Sequence, residues 1–401
     1  MNKRIQVVIL TILLLSFQQI YSQSTLVDTL SSSAEISVMT CEPGPQMYQS
    51  WGHSSIMVWD PVNRIEKIYN YGTFNFRTPN FYLKFARGKL LYMLSTESLE
   101  EFLRVYHYYN QTVQQQVLNL NQSQKQAIYE FLEDNMRPDK RFYRYDFLFD
   151  NCATRIQQGL ENTLVDAASW TYPTPDPAVS FRDAIEGSIT QKPWMDFGLD
   201  LILGLPTDAK MENQEYTFHP KYLYETLKHS TIMKEGKEVP LVKYESIAYQ
   251  AYPTEDKKAF HLWPELFSVI LALAYLIISW SLRNSPILPK IDGVLFTIIG
   301  LAGMVLLFMW VGTEHRVTKM NLNLLWLLPT HLIPAGYLLA SRLPEWVRTY
   351  LLYSSILLGL LVLSWFFIPQ DLPSAGLPLT ILIGLRTIHQ WQLHAPAPTE
   401  S

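Results

Sequence analysis

The pattern of hydrophobic and polar positions divides the chain into two unlike parts. Up to about residue 261, short alternating runs predict strands and amphipathic stretches predict helices. The strands are predicted at 36–40, 53–59, 65–71 and 112–120, and the helices at 97–109, 123–135, 151–160 and 221–229. Beyond residue 261, each of five charge-free apolar stretches predicts a membrane helix, with four helices as the alternative. These stretches are 266–282, 293–313, 320–341, 349–370 and 372–385.

The first residues have the pattern of a secretory signal peptide. Lys3 and Arg4 precede a short apolar run at 7–15, and Ser22 offers a small residue for cleavage. Cleavage is favoured over an uncleaved anchor, because the run is short for a bilayer span. The predicted organisation is a signal peptide (1–22), an exported α+β domain (23–200), a connecting segment (201–261), a membrane domain (262–394) and a tail (395–401). This predicts a multi-pass membrane protein with its N-terminal part exported and its C-terminus in the cytoplasm.

Charge and cysteine content exclude several classes of protein. Of the 68 charged residues, 55 lie in residues 1–261, and the membrane part is correspondingly poor in charge. A net charge of −4 without a basic run argues against a nucleic-acid partner. Two cysteines in 401 residues exclude a disulfide scaffold and a structural zinc cluster.

The segment around Cys152 carries the strongest candidate chemistry. If Asp150 caps the following helix, Cys152 lies in its first turn beside Asn151. Free N–H groups and the helix dipole there favour a thiolate and are suited to hold an oxyanion. Arg155, one turn further on, adds positive potential. The alternative is a buried, inert cysteine.

A nucleophilic cysteine needs a base, and His53 is the best placed histidine of the exported part. His53 begins a predicted strand directly after Gly52, whereas His107, His219, His229 and His261 lie on a helix or in weakly patterned sequence. If paired residue numbers in the hairpin sum to about 125, Asn70 lies diagonally on the same face and is able to orient the imidazole. A slip of one residue offers Tyr69 or Tyr71 instead.

Cys41 is the other thiol, and two interpretations are open. It either bridges to Cys152 in an oxidising compartment or stays free at a strand end. The free thiol is favoured, because a disulfide contributes least to a chain that builds its own core.

Residues 79–93 mix aromatic side chains with Lys84, Arg87 and Lys89. In a membrane protein this composition is typical of a lipid-facing segment, with rings at the interface and cations toward phosphate. An ordinary amphipathic element with inward-packed rings is an equal alternative. His315, at the outer end of the second predicted span, is a further candidate for contact with a lipid headgroup.

Four motifs in one order resemble the Lnb family of Bacteroidota. They are Trp51–Ser54, Tyr69–Phe74, Asn80–Leu90 and Tyr145–Arg155, with Trp51 where Phe is common. The resemblance implies a lipoprotein N-acyltransferase whose periplasmic domain is similar to permuted papain-like (NlpC-type) cysteine enzymes, followed by helices in the bacterial inner membrane. It implies Cys152 as nucleophile and His53 as base, a membrane phospholipid as acyl donor, diacylated lipoproteins as acceptors, and no metal or soluble cofactor.

Two further functions compete with this interpretation. A membrane-tethered cysteine peptidase or amidase acting on cell-wall peptides would use the same site, with water as the second nucleophile. A non-enzymatic periplasmic sensor or scaffold would have Cys41 and Cys152 joined in a disulfide. Counting free thiols separates this last function from the other two.

Overall fold

The structure, a computed structural model, describes residues 29–173, 175, 178–253 and 262–394. The predicted signal peptide, the predicted tail and His261 lie outside the described residues.

The N-terminal part is built on an antiparallel seven-stranded sheet with the strand order β10-β5-β1-β2-β3-β4-β6. Its strands are β1 (Glu35–Cys41), β2 (His53–Asp60), β3 (Ile65–Thr73), β4 (Leu91–Glu97), β5 (Val113–Leu118), β6 (Phe142–Arg144) and β10 (Val242–Tyr249). A small second sheet contains β7 (Ala168–Ser169), β8 (Thr231–Lys234) and β9 (Lys237–Pro240). The predicted hairpin is confirmed with its register, because Ile56 pairs with Tyr69 and the two numbers sum to 125.

Helices cover both faces of the large sheet. They are α1 (Phe81–Ala86), α2 (Leu99–Tyr109), α3 (Gln122–Asn135), α4 (Cys152–Thr163), α5 (Phe181–Glu186), α6 (Pro193–Ile202) and α7 (Pro220–His229). Side chains of α3, α4 and α7 join the main core on one face, while α2 contributes Phe102 and Tyr106 to a smaller cluster that includes Met39 and Ile68. The N-terminus of α4, where Cys152 lies, therefore rests against a sheet that is packed on both faces.

The segment 201–261, which the sequence pattern indicates to be a connection, contributes to the same fold as far as residue 253. Strand β10 pairs with β5 from Val242 to Tyr249 and forms an edge of the large sheet. Leu223, Leu227 and Leu241 belong to the main core. Residues 201–253 are therefore part of the N-terminal fold and do not form a separate connection. Their pattern is weak because β10 exposes most of its side chains.

The C-terminal part is helical. Its main helices are α8 (Pro264–Ser281), α9 (Leu288–Val311), α10 (Leu332–Leu339), α11 (Glu345–Ser364) and α12 (Gly376–Leu393). Among the described residues, α8, α9 and α11 are long and apolar enough to cross a membrane, and a bent pair of segments allows a fourth crossing. Near the start of α9, buried Asp292 accepts two hydrogen bonds from Arg386, at 2.9 and 2.7 Å.

The third apolar stretch differs from its prediction. A single helix over 320–341 is wrong, because the structure has short 3-10 helices (Arg316–Thr318, Leu322–Leu325 and Pro329–His331) before α10, with a bend of 49°. Pro329 lacks the N–H that a continuous helix needs. The side-chain amides of Asn321 and Asn323 donate to groups outside this stretch.

These asparagines join the two parts of the molecule. The side-chain amide of Asn321 donates to the Leu201 carbonyl at 2.7 Å, and that of Asn323 donates to the Asp200 carbonyl at 2.7 Å. The backbone N–H of Gly204 donates to the Val317 carbonyl at 2.7 Å. The end of α6 is thus hydrogen-bonded directly to the loop between membrane helices.

Candidate active site

Cys152 is the first residue of α4, and Asn151 is its N-cap. The Asn151 side-chain oxygen accepts hydrogen bonds from the amides of Ala153 and Thr154, both at 2.9 Å. Its amide nitrogen donates to the Phe218 carbonyl at 2.7 Å, which fixes the cap from outside the helix. Cys152 is therefore in the first turn as predicted. The prediction that Asp150 caps the helix is wrong, because the carboxylate of Asp150 binds Arg155 instead.

His53 reaches the thiol because of the glycine before it. Gly52 has φ +76°, and a Cβ there would lie 2.5 Å from the carbonyl oxygen of Cys41. Only glycine is compatible with this turn, which delivers His53 to the start of β2. The imidazole lies close enough to the thiol of Cys152 for each group to shift the pKa of the other. The structure therefore brings together the predicted nucleophile and the predicted base.

The electrostatics of this pair favour the charged forms. Burial alone raises the pKa of the Cys152 thiol, but the charge of His53, its hydrogen bond and the backbone N–H groups of Ser54 and Ala153 outweigh it, so that the pKa is lowered. Burial likewise lowers the pKa of His53, while the Cys152 thiolate and the Asn70 hydrogen bond raise it above its ordinary value. A thiolate beside an imidazolium is the nucleophilic state of a catalytic cysteine.

Asn70 lies against His53 on the face that the register predicts. The Oδ1 atom of Asn70 is 2.6 Å from Nε2 of His53, which leaves Nδ1 of the ring for Cys152. The Asn70 amide nitrogen donates to Oε1 of Glu97 at 3.0 Å, and this bond sets which end of the amide faces the histidine. Sequence reasoning missed Glu97. The sequence pattern places it at the start of the helix predicted over 97–109, whereas the structure has it as the last residue of β4.

The first turn of α4 offers one amide to a bound oxyanion. Asn151 occupies the N–H groups of Ala153 and Thr154, whereas no hydrogen bond of the Cys152 N–H is found within the described part of the chain. Tyr143, which sequence reasoning also missed, lies nearby. Its buried hydroxyl has no hydrogen-bond partner among the described residues. Burial, together with the charge of Cys152, raises the pKa of this hydroxyl well above its ordinary value.

Arg155 lies one turn into α4, but its charge is paired with that of Asp150. Its guanidinium binds Asp150 in a bidentate pair, at 2.5 and 2.8 Å, and lies 3.4 Å from the centroid of the Tyr143 ring. Tyr71 is buried beside it and packs edge-on against Tyr143. Since Asp150 neutralises its charge, Arg155 adds little positive potential at the site. Its guanidinium instead packs against the rings of Tyr71 and Tyr143.

The predicted headgroup contacts converge on the loop that follows α9. Nε2 of His315 hydrogen-bonds the Phe85 carbonyl at 3.0 Å, and Lys89 lies 3.4 Å from Glu314. Lys84 lies in the last turn of α1, and Arg87 is its C-cap. Lys89 and His315 are thus engaged within the protein.

Neither of the other reactive groups competes with Cys152. Cys41 is a free, buried thiol, as favoured, and burial raises its pKa far above its ordinary value. His219 accepts from the Lys221 amide through Nδ1, so its Nε2–H donates to Ser188 at 2.8 Å. Burial lowers the pKa of His219 to about 4, and this neutral tautomer has no lone pair for the Ser188 proton. A cavity of about 540 Å³ beside Cys41 and His219 does not include Cys152 in its lining.

One group of carboxylates has the spacing of metal ligands. Oxygen atoms of Glu186, Asp196 and Asp200 lie within 4.8 Å of one another. Arg182 binds Asp200 at 2.8 Å, and burial with the neighbouring Asp200 raises the pKa of Glu186 to about 9. The cluster thus balances its charge with a guanidinium and a retained proton.

The fold and the site together define a membrane protein with an N-terminal α+β domain that carries a thiol–imidazole–amide arrangement. The Lnb N-terminal periplasmic domain matches residues 22–186, and the Lnb transmembrane domain matches residues 255–395. These matches cover about three quarters of the chain in the family's order, and the chain belongs to the Lnb family. Its N-terminal domain is periplasmic, and it is a multi-pass protein of the inner membrane.

Membership of this family indicates a role like that of a lipoprotein N-acyltransferase. No curated protein and no solved structure matches the chain.

Proposed function

We propose that this protein transfers an acyl chain from a membrane phospholipid to the α-amino group of a diacylated lipoprotein through a thioester on Cys152. The observation that carries the proposal is the Cys152–His53–Asn70 arrangement in a domain that is hydrogen-bonded to membrane helices. A papain-like division of roles fits this arrangement, with Asn70 orienting the ring of His53.

In the first half-reaction, the Cys152 thiolate attacks an ester carbonyl of the phospholipid. The carbonyl oxygen becomes an oxyanion, which accepts a hydrogen bond from the Cys152 N–H at the positive end of α4. The tetrahedral intermediate collapses with cleavage of the ester C–O bond. The imidazolium of His53 gives its proton to the departing lysophospholipid oxygen, and the acyl chain remains as a thioester.

In the second half-reaction, the α-amino group of the lipidated N-terminal cysteine attacks the thioester carbonyl. Neutral His53 takes a proton from the amine as the N–C bond forms. The C–S bond then breaks and regenerates the thiolate beside the imidazolium. The products are one lysophospholipid and one N-acylated, triacylated lipoprotein. His53 carries each proton in turn, and both substrates lie in the leaflet next to the periplasmic domain.

The decisive experiment measures N-acylation of a reporter lipoprotein by the full chain, from the mass of its N-terminal peptide. We expect Cys152→Ala to abolish the added acyl mass and the acyl adduct on the intact protein. Cys41→Ala is the matched control, because it removes the other buried thiol, and its activity is expected to stay within a few-fold of wild type. N-acylation by the Cys152→Ala variant would refute the proposal.

The competing functions give different results in the same preparation. Release of cell-wall peptides by the wild-type chain, without acyl transfer, would favour the peptidase or amidase. The sensor or scaffold function depended on a disulfide between Cys41 and Cys152. The structure has both cysteines free, which removes the main support for that function.

A further inference from the structure

Residues 74–89, which we call the aromatic wedge, expose an unusual group of large apolar side chains. Phe76, Tyr82, Leu83 and Phe85 are 67%, 81%, 57% and 51% exposed. They are held close together, since the ring of Phe81 lies 5.0 Å from that of Phe76 and 6.3 Å from that of Phe85. A contiguous apolar patch on a folded domain indicates a contact with another apolar phase.

The contacts of the wedge fix its height relative to the membrane. Helix α9 is long and apolar enough to span and ends at Val311. A few residues later, the Glu314 N–H donates to the Arg87 carbonyl at 3.0 Å, and His315 bonds the Phe85 carbonyl at 3.0 Å. The wedge is therefore attached to the periplasmic end of a membrane helix and lies at the surface of the bilayer.

The composition of the wedge fits this depth. Aromatic side chains are enriched where hydrocarbon meets headgroups, and long cationic side chains extend from there toward phosphate. Lys84 and Arg87 stand beside the exposed rings at the end of α1. Lys89 and Arg144 bind Glu314, which ties the wedge to the loop after α9.

A row of aromatic rings continues from the wedge to the thiol. Phe81 packs on Phe74 at 5.8 Å, Phe74 on Tyr92 at 5.3 Å, and Tyr92 stacks on Tyr145 at 4.6 Å. Tyr92 and Tyr145 pack against the main core, to which Cys152 belongs. Four rings in contact therefore lead from the exposed wedge to the core that contains the nucleophile.

We propose that the aromatic wedge inserts among the acyl chains of the outer leaflet, and that the rings from Phe81 to Tyr145 guide a phospholipid ester from there to Cys152. The second half of this inference rests on the proposed acyl transfer, whereas the insertion does not. The donor would then reach the thiol without leaving the interface. The exposed rings of the wedge would contact the acyl chains, and Lys84 and Arg87 would bind the phosphate of the headgroup.

The insertion is tested with a fluorophore on the wedge. Leu83→Cys is introduced together with Cys152→Ala, labelled with an environment-sensitive dye and placed in lipid nanodiscs. We expect quenching by nitroxide attached to lipid acyl chains and protection from aqueous iodide. Val62→Cys, in the β2–β3 turn and at least as exposed, is the control and should show the opposite. A Leu83 label quenched by iodide would overturn the insertion, as would one shielded from both quenchers, which would indicate a second copy or a protein partner.

The guiding role is tested with charged substitutions. We expect Leu83→Asp and Phe85→Asp to slow acylation of Cys152 by bilayer phospholipid at least tenfold. Acylation by a water-soluble short-chain ester should be unchanged, and Val62→Asp should affect neither. Equal loss with both donors, or no loss with phospholipid, would overturn this role. If wild-type Cys152 is never acylated by phospholipid while the Leu83 label is in lipid, the proposed acyl transfer fails and the insertion stands.

Discussion

The hydrogen bond between Asn70 and His53 allows a quantitative test of the site. The Nε2 to Oδ1 distance is 2.6 Å, and the partner is an imidazolium during the first half-reaction. A hydrogen bond to a charged group contributes about 1.5–3 kcal/mol. At about 1.4 kcal/mol for each factor of ten, Asn70→Ala should slow acylation of Cys152 by about 10- to 150-fold. The ring of His53 loses its orientation while the thiol stays in place.

Asn70→Asp tests the same bond in the opposite sense. A carboxylate there still accepts from His53, but it faces Glu97 at the 3.0 Å where an amide donated before. Two carboxylates at this distance repel each other, so one must take up a proton or move. We expect Asn70→Asp to be impaired and the double variant Asn70→Asp with Glu97→Gln to regain most of the lost rate. The glutamine amide is able to donate to the new carboxylate.

The assay is the rate at which the intact protein gains an acyl mass in lipid nanodiscs, with thermal unfolding as the check on folding. Glu97→Gln alone is the matched control and should lie within a few-fold of wild type. If Asn70→Ala is acylated as fast as wild type, Asn70 does not orient His53. If Glu97→Gln fails to improve Asn70→Asp, the two side chains are not coupled in the way the structure indicates.

Three other predictions follow from the site and the membrane part. Because His53 lowers the pKa of Cys152, alkylation of the thiol should stay fast below the ordinary thiol pKa of about 8.5 and fail only as pH falls through the lowered value. His53→Ala should move this profile to higher pH. Tyr143→Phe should slow acylation roughly 100-fold if its free hydroxyl donates to the oxyanion, since this is the usual cost of losing one such donor. Arg386→Met should destabilise the membrane part by about 3–5 kcal/mol, because it leaves the carboxylate of Asp292 buried without its ion-pair partner.

Each of these has a result that contradicts it. An unchanged alkylation profile in His53→Ala would mean that the imidazole does not set the thiol's charge. A fully active Tyr143→Phe would remove the hydroxyl from the oxyanion site, while its ring would still pack on Arg155. The double variant Asp292→Leu with Arg386→Met should recover thermal stability in detergent. If it melts as low as the single variant, the loss is one of packing and does not come from the unpaired charge.

The parts of the site that are local in sequence were predictable. The turn Asp60–Arg64 between two alternating runs sets the hairpin register, and that register places Asn70 on the face of His53. The first-turn position of Cys152 follows from a strong helix start. The choice between Asp150 and Asn151 as cap was not predictable, because both residue types cap well. Asn151 is the cap because the carboxylate of Asp150 binds the Arg155 side chain.

The remaining parts depend on contacts between distant segments. Glu97 joins the site only because β4 pairs with β3, and Tyr143 only because the three-residue β6 pairs with β4. A strand as short as β6 has no periodicity to detect. The break in the third apolar stretch has a similar origin, since Asn321 and Asn323 bond to backbone carbonyls at the end of α6.

Strand β10, which lies far along the sequence, determines where the chain can be truncated. A water-soluble fragment that ends near residue 200 would lack β10, so that β5 becomes an edge strand with unpaired backbone groups. Such an exposed edge promotes edge-to-edge aggregation. A fragment that runs to residue 253 keeps the sheet whole. It would still uncover the carbonyls of Asp200 and Leu201, which Asn321 and Asn323 satisfy in the intact chain. The periplasmic part and the membrane part are therefore best purified as one piece.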